Sequence, residues 1–283
     1  MSTPEQAAPA APPRRMLRPP PLGLRLGIVL SLLFLLIGFV SISWTPYPLE
    51  PAGIPDQLLD PSAAHWLGTD QQGRDLLSLV MKGTLTSFVV AAVAVAIGLL
   101  FGLPLGFAAA AWGRRANVAG DALLLFPAVV IAILVAARLG PGAVSAMIAI
   151  GIAQAGVFAR VTGKAAALLG RRPYVDAARL AGMNVWDSAT RHVAPALSRL
   201  LLVQVVIQLA VGVLAEATLA YVGLGTQPPG TSLGLMLREA QSLMLFEPLL
   251  LLVPGTALAA IALSLSLVAH GLAKWLGVDH AAA

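Results

Sequence analysis

The sequence predicts an all-α integral membrane protein with six transmembrane helices. Three observations carry this reading. Of its 283 residues, 58% are hydrophobic and only 11% are charged, the mean hydropathy is +0.85, and the apolar residues fall in runs of spanning length. A soluble domain carries about 25% charged residues. A bilayer core about 30 Å thick requires roughly 20 consecutive apolar residues in a helix. The 27 Gly and 21 Pro suit helices that pack closely on small residues and accept kinks.

Residues 1–21, MSTPEQAAPAAPPRRMLRPPP, are Pro- and Ala-rich and carry Arg14, Arg15 and Arg18. Such a segment cannot build a core and is expected to be a disordered tail. Basic residues ahead of an apolar run also fit a signal peptide. No small-residue cleavage site follows, however, and the run ends in SISWTPYP, which favours an uncleaved first span.

Spans are expected near 24–44, 86–112, 119–137, 141–161, 199–222 and 248–273. The third starts beside Asp121 and is short. Pro127 and Pro141 either kink it or mark the following turn. The organisation expected is therefore a first helix with an outer loop over 22–85, a five-helix core over 86–276 and a short tail over 277–283.

Lys and Arg collect on cytoplasmic loops, and this orients the set. With the N-terminus inside, of the 18 Lys and Arg only Arg74, Lys82, Arg138 and Arg238 fall outside. Both termini are then cytoplasmic, 45–85 and 223–247 are outer segments, and 162–198 is the one long inner loop. Topology explains the pI near 10.2 in so apolar a chain, so no nucleic-acid partner is expected. The absence of Cys excludes disulfides, thiolate metal sites and a Cys nucleophile. His65, His192, His270 and His280 have no metal-ligand spacing. No metal site and no catalytic residue are expected.

The inner loop holds the polar block YVDAARLAGMNVWDSATRHVAPA, Tyr174 to Ala196. Tyr174, Ala177, Ala178 and Ala181 form one small-residue helical face. Gly182 and Asn184 interrupt it, and a second segment, Val185 to Val193, ends at Pro195. A helix-turn-helix unit at the membrane surface fits two partners: anionic lipid headgroups or a groove on another protein. Asp176 and Asp187 beside Arg179 and Arg191 make a mixed, small face that suits the groove.

The spacing of Asp176, Ala177 and Ala178, three residues, Gly182 and then Pro195 resembles the cytoplasmic EAA loop of ATP-binding-cassette (ABC) importer permeases. Asp176 stands where that pattern has Glu, and His192 and Ala194 stand where it has Ile and Leu. RHVAP is nevertheless similar to the RHILP variant of the dipeptide, oligopeptide and nickel permeases. The block HWLGTDQQGRDLLSLVMKGTLTS, His65 to Ser87, resembles the LGTDxxGRD segment ahead of the second span in the smaller, C-type permease of that group. AEATLAYVGLGTQPPGTSLGLML, Ala215 to Leu237, is similar to its AEAALSFLGLGxQPP segment.

The resemblance implies a type I ABC importer permease fold in a bacterial inner membrane. It implies a heterodimer with a homologous second permease, two ATPase subunits on the coupling loops, and an extracytoplasmic substrate-binding protein. The chain itself lacks a G-x-x-x-x-G-K-[ST] loop, so ATP and Mg are expected on partner subunits. The implied ATPase contacts are Tyr174, Asp176, Ala177, Ala178, Arg179, Gly182, Arg191, His192 and Pro195. Gln204, Gln208 and Glu216, in the fifth span, fit either a translocation path or interhelical packing. Asp70, Arg74 and Asp75 are spaced for mutual pairing, with Gly68 and Gly73 supplying turns. That outer block suits a structural cap or a docking point for the binding protein. The cargo implied is peptides or a related small solute, nickel or a metal chelate included. The rival readings are a self-sufficient secondary transporter or channel, which calls for inverted repeats or several intramembrane charges, and an intramembrane enzyme, which calls for paired catalytic residues within spans.

Overall fold

The computed structural model describes residues 19–51, 53–112, 127–170 and 194–278. Within them the chain forms α1 (Leu22–Ser43), α2 (Leu76–Trp112), α3 (Ala128–Leu139), α4 (Ala143–Gly170), α5 (Ala194–Val222), the short α6 (Leu233–Ala240) and α7 (Leu249–Leu276), with no strand among the described residues. Helices satisfy their own backbone groups, which is why an apolar chain in hydrocarbon resolves into them. Five of the seven, all but α3 and α6, are long and apolar enough to cross a membrane.

Helix ends depart from the hydropathy runs where capping chemistry intervenes. α2 begins ten residues ahead of its apolar run because Asp75 caps it: its Oδ2 accepts from Ser78 N at 2.9 Å. At 37 residues and about 1.5 Å per residue, α2 is roughly 55 Å long and exceeds the bilayer core. α4 continues to Gly170, so 162–170 belongs to the helix and not to the inner loop. Its Ala165–Ala166–Ala167–Leu168 run has high helix propensity and no breaker. α5 starts at Ala194, with Pro195 in its first turn, where a missing N–H costs nothing.

α3 spans only 12 residues, and Asp121, at the start of the expected third span, lies outside the described residues. Pro127 precedes α3 without kinking it, and Pro141 marks the turn after Gly140, whose φ is 83°. Pro104 and Pro254 do sit inside helices, α2 and α7.

α2 and α4 make the most extensive helix contact, and glycine explains how close it is. Gly98, Gly102 and Gly106 recur every four residues on α2 and face Phe158, Ala155 and Thr162 of α4. A Cβ on Gly102 would lie 2.6 Å from the Ala155 carbonyl oxygen. Small residues replace hydrophobic driving force in lipid by letting backbones approach. α1 packs on α7 in the same way, where Gly27 meets the α7 backbone and Ser31 Oγ donates to Ser264 Oγ at 3.0 Å. α5 completes the bundle against α2, α4 and α7, while α6 lies on α5 and α7. Large apolar residues such as Leu26, Leu33 and Phe39 of α1 stay exposed, the surface a lipid-facing helix presents.

Candidate functional site

One end of the bundle gathers the 44–75 and 223–248 segments, and Arg74, Asp70, Glu239, Asp75 and His65 pair there. Thr69 organises the loop: its Oγ1 donates to Asp56 O at 2.6 Å and accepts from Leu59 N at 2.8 Å. Gly68 and Gly73 turn the chain with φ of 81° and 76°. At Gly68 a Cβ would fall 2.5 Å from Leu59 O, so only glycine fits both the φ and the space. Asp70 Oδ1 accepts from Gln72 N and Arg74 N at 2.8 and 2.9 Å, and its Oδ2 accepts from Arg74 Nε at 2.7 Å.

The expected mutual pairing of Asp70, Arg74 and Asp75 holds for the first two residues only. Arg74 Nη2 instead reaches Glu239 Oε2 on α6 at 3.0 Å, and Gln71 Nε2 donates to Glu239 O at 2.9 Å. Asp75 turns the other way because it caps α2. Its Oδ2 accepts from Ser78 N and Oγ, and its Oδ1 accepts from His65 Nδ1 at 3.0 Å. His65 stacks on Tyr47 with ring centroids 4.3 Å apart, and Tyr47 N donates to Ser78 Oγ at 3.1 Å. Ser, His and Asp meet here, yet Ser78 bonds the carboxylate and not the imidazole, so no base activates it. Beside this junction a cavity of about 100 Å³ opens between Asp70, Arg74, Leu79, Met236 and Glu239.

Glu216 of α5 is fully buried, at 0% exposure. Ser87 Oγ of α2 donates to its Oε2 at 2.8 Å, and Thr226 Oγ1 donates to its Oε1 at 3.3 Å. Ser232 lies beside the same carboxyl group. Ser232 also caps α6, its Oγ accepting from Leu235 N at 3.2 Å. Gly83 of α2 lets this turn approach, since a Cβ there would lie 3.1 Å from Leu233 N. A carboxyl group in a spanning segment needs such partners, because an unpaired one is costly in hydrocarbon.

Gln204 and Gln208 are likewise buried, at 6% and 4% exposure. Of Gln204, Gln208 and Glu216, none opens onto a surface among the described residues. Gln154 of α4, which the sequence reading passed over, donates from Nε2 to Gln208 O at 2.9 Å and joins α4 to α5. Its only local signal is a polar amide amid an apolar span. Glu239, Ser87, Thr226, Ser232 and Thr69 were also missed; serine and threonine are too common for their pairing to be read from spacing.

Among the inner-loop residues, Tyr174, Asp176, Ala177, Ala178, Arg179, Gly182, Arg191 and His192 lie outside the described residues. Among the described residues no group of three or more His, Asp or Glu gathers to hold a metal ion.

Five spanning-length apolar helices packed on glycine define a multi-pass membrane protein. Residues 96–277 match the family described as binding-protein-dependent transport system inner membrane component, and the chain belongs to it. Relatives match over most of their length. The glutathione transport system permease protein of Pectobacterium atrosepticum is 32% identical over 85% of this chain and 82% of its own. The probable D,D-dipeptide transport system permease protein of Escherichia coli K12 is 31% identical over 91% and 87%. The nickel transport system permease protein of Escherichia coli K12 is 31% identical over 88% and 91%. Among solved structures, an inward-facing form of the MetNI methionine ABC transporter shares the fold, with a TM-score of 0.58 and 16% identity over 70% of this chain and 95% of that one. The protein is thus a permease component of a binding-protein-dependent ABC importer. It is not itself an enzyme; ATP hydrolysis belongs to separate ATPase subunits, and a binding protein is among the components it works with.

Proposed function

We propose that this permease forms half of a translocation pathway for peptides or a related small solute, nickel and metal chelates included, and that a homologous second permease forms the other half. Two ATPase subunits, holding ATP and Mg, dock from the cytoplasm, one on this chain's segment from Tyr174 to Pro195 and the other on the corresponding loop of the second permease. Asp176, Ala177, Ala178 and Gly182 make the close approach there, and Arg179, Arg191 and His192 lie beside acidic groups of the partner. An extracytoplasmic binding protein delivers cargo to the end built by the 65–75 loop and α6. Both termini are cytoplasmic, because that orientation leaves only four of the 18 basic residues outside.

The single observation that supports this cargo class is the set of relatives named for glutathione, a D,D-dipeptide and nickel, all aligned over 85% or more of the chain. The test is uptake by the complete importer in proteoliposomes, with a panel of glutathione, L- and D,D-dipeptides, tripeptides and Ni²⁺. ATP-dependent uptake of one of these is expected, and it disappears when Gly182 is replaced by Trp while the complex still co-purifies. ATP-independent uptake by this chain reconstituted alone would sink the reading in favour of a secondary carrier.

A further inference from the structure

Helix α6 is fastened to the bundle at both ends, by contacts of opposite kind. At its start, Ser232 and Thr226 meet the buried Glu216 carboxyl together with Ser87 of α2. At its far end, Glu239 meets Arg74 and Gln71 of the 65–75 loop, with Glu239 31% exposed at its side chain. The first fastening is sealed from water. The second is open on one side only, with Glu239 in reach of water and Arg74 buried at 8% exposure. Ser87 and Glu216 lie on two long spanning helices, so any tilt of α2 and α5 carries the start of α6 with it.

We propose that Glu216 is a positioning residue of the transport cycle: it holds the start of α6 to α2 and α5 throughout, so that movement of these helices swings α6 and opens the Arg74–Glu239 pair at its other end. Glu216 touches no cargo. It acts by making α6 a lever with a fixed, buried pivot, and the 65–75 loop is the part that α6 releases. The proposal rests on the permease reading, since the movement of α2 and α5 is what nucleotide turnover on the partners must drive. Coupling of this kind needs an element with two arrangements that both sites bias.

This chain has no native Cys, so labels on it report only the introduced positions once any Cys of the partner subunits is replaced. Spin labels go onto Cys introduced in pairs into the complete importer in lipid nanodiscs. Gly230 with Val89 reports the pivot, and Gln72 with Gln241 reports the releasing end. Distances are read without nucleotide and with ATP plus vanadate. In the wild type the Gly230–Val89 distance stays fixed and the Gln72–Gln241 distance lengthens. Glu216→Gln, which keeps hydrogen-bonding groups in place, preserves both results. Glu216→Ala abolishes the nucleotide response of Gln72–Gln241. The milder Ser87→Ala/Thr226→Val pair, which keeps the carboxyl, does the same in a complex whose basal ATPase matches wild type, and it decides the matter if Glu216→Ala fails to assemble. A full response in that double variant reduces Glu216 to a packing contact and overturns the proposal. So does a wild-type pivot distance that shifts with nucleotide. A wild-type complex without ATPase activity would instead overturn the permease reading beneath it.

Discussion

Glu216 and Arg74 each tie α6 to the rest of the bundle, the first from within a spanning helix and the second from the loop that faces water. Both are ionisable, and both use an oxygen–nitrogen or oxygen–oxygen contact near 3 Å. Their surroundings make them unlike. Glu216 has no exposed surface and meets hydroxyls on α2 and the 226–232 turn. Arg74 is shared between Asp70 and Glu239, and Asp70 has two backbone donors of its own. Losing a partner in the first place strands groups that water cannot reach, at about 1–3 kcal/mol each. Losing Glu239, whose side chain is 31% exposed, costs the ~0–1 kcal/mol typical of pairs open to solvent, while Arg74 itself is buried at 8% exposure. The difference teaches that burial, more than charge, sets how much each tie is worth.

The largest effect is expected from Glu216→Ala, which strands the Ser87 and Thr226 hydroxyls and leaves a void. A loss on the order of 3 kcal/mol is expected, read as a lowered midpoint in thermal unfolding of the purified complex. Glu216→Gln should lose less than half of that. Wild-type behaviour of Glu216→Ala would break the comparison at once, since the interior tie would then be worth no more than the surface one.

Asp75→Ala comes next. It removes the cap of α2 and the partner of His65, with an expected cost of about 2 kcal/mol in the same measurement. Asn at position 75 keeps a capping oxygen and should restore more than half of it.

Arg74→Ala, which removes the guanidinium of a residue only 7% exposed, is expected to cost about 1–2 kcal/mol. A double-mutant cycle with Glu239→Ala isolates the pair, and a coupling well above that figure would place the latch with the buried contacts. The smallest effect sharpens the contrast: raising NaCl from about 0.05 to about 0.5 M should shrink the Arg74–Glu239 coupling through screening and leave the Glu216→Ala penalty where it was.

Much of this was legible in the sequence, for identifiable reasons. A spanning helix must be a long apolar run, so 24–44 and 248–273 anticipate α1 and α7 closely. The start of α2 was misplaced because its first turns carry Ser78 and Lys82 and are held by Asp75, chemistry that hydropathy averages away. The pairing of Asp70 with Arg74 follows from i, i+4 spacing on a tight turn. Its extension to Glu239 joins residues 165 apart in sequence and has no local signature. The same holds for Gln154 and the backbone of Gln208, which meet only because Gly98 and Gly212 bring their helices together.

By itself, then, the sequence determined that the chain lives in a membrane, where its five long spanning helices fall, and through three spaced motifs which family it resembles. These properties are additive over local stretches: transfer free energy sums along a run, and a motif is contiguous. Only the tertiary structure decided that Glu216 is an interior knot and that the buried Arg74 latches the partly exposed Glu239 at the end of the bundle. A carboxyl group is worth what its surroundings make it worth, and those surroundings come from α2, α5 and the 226–232 turn, which meet only once the bundle has packed.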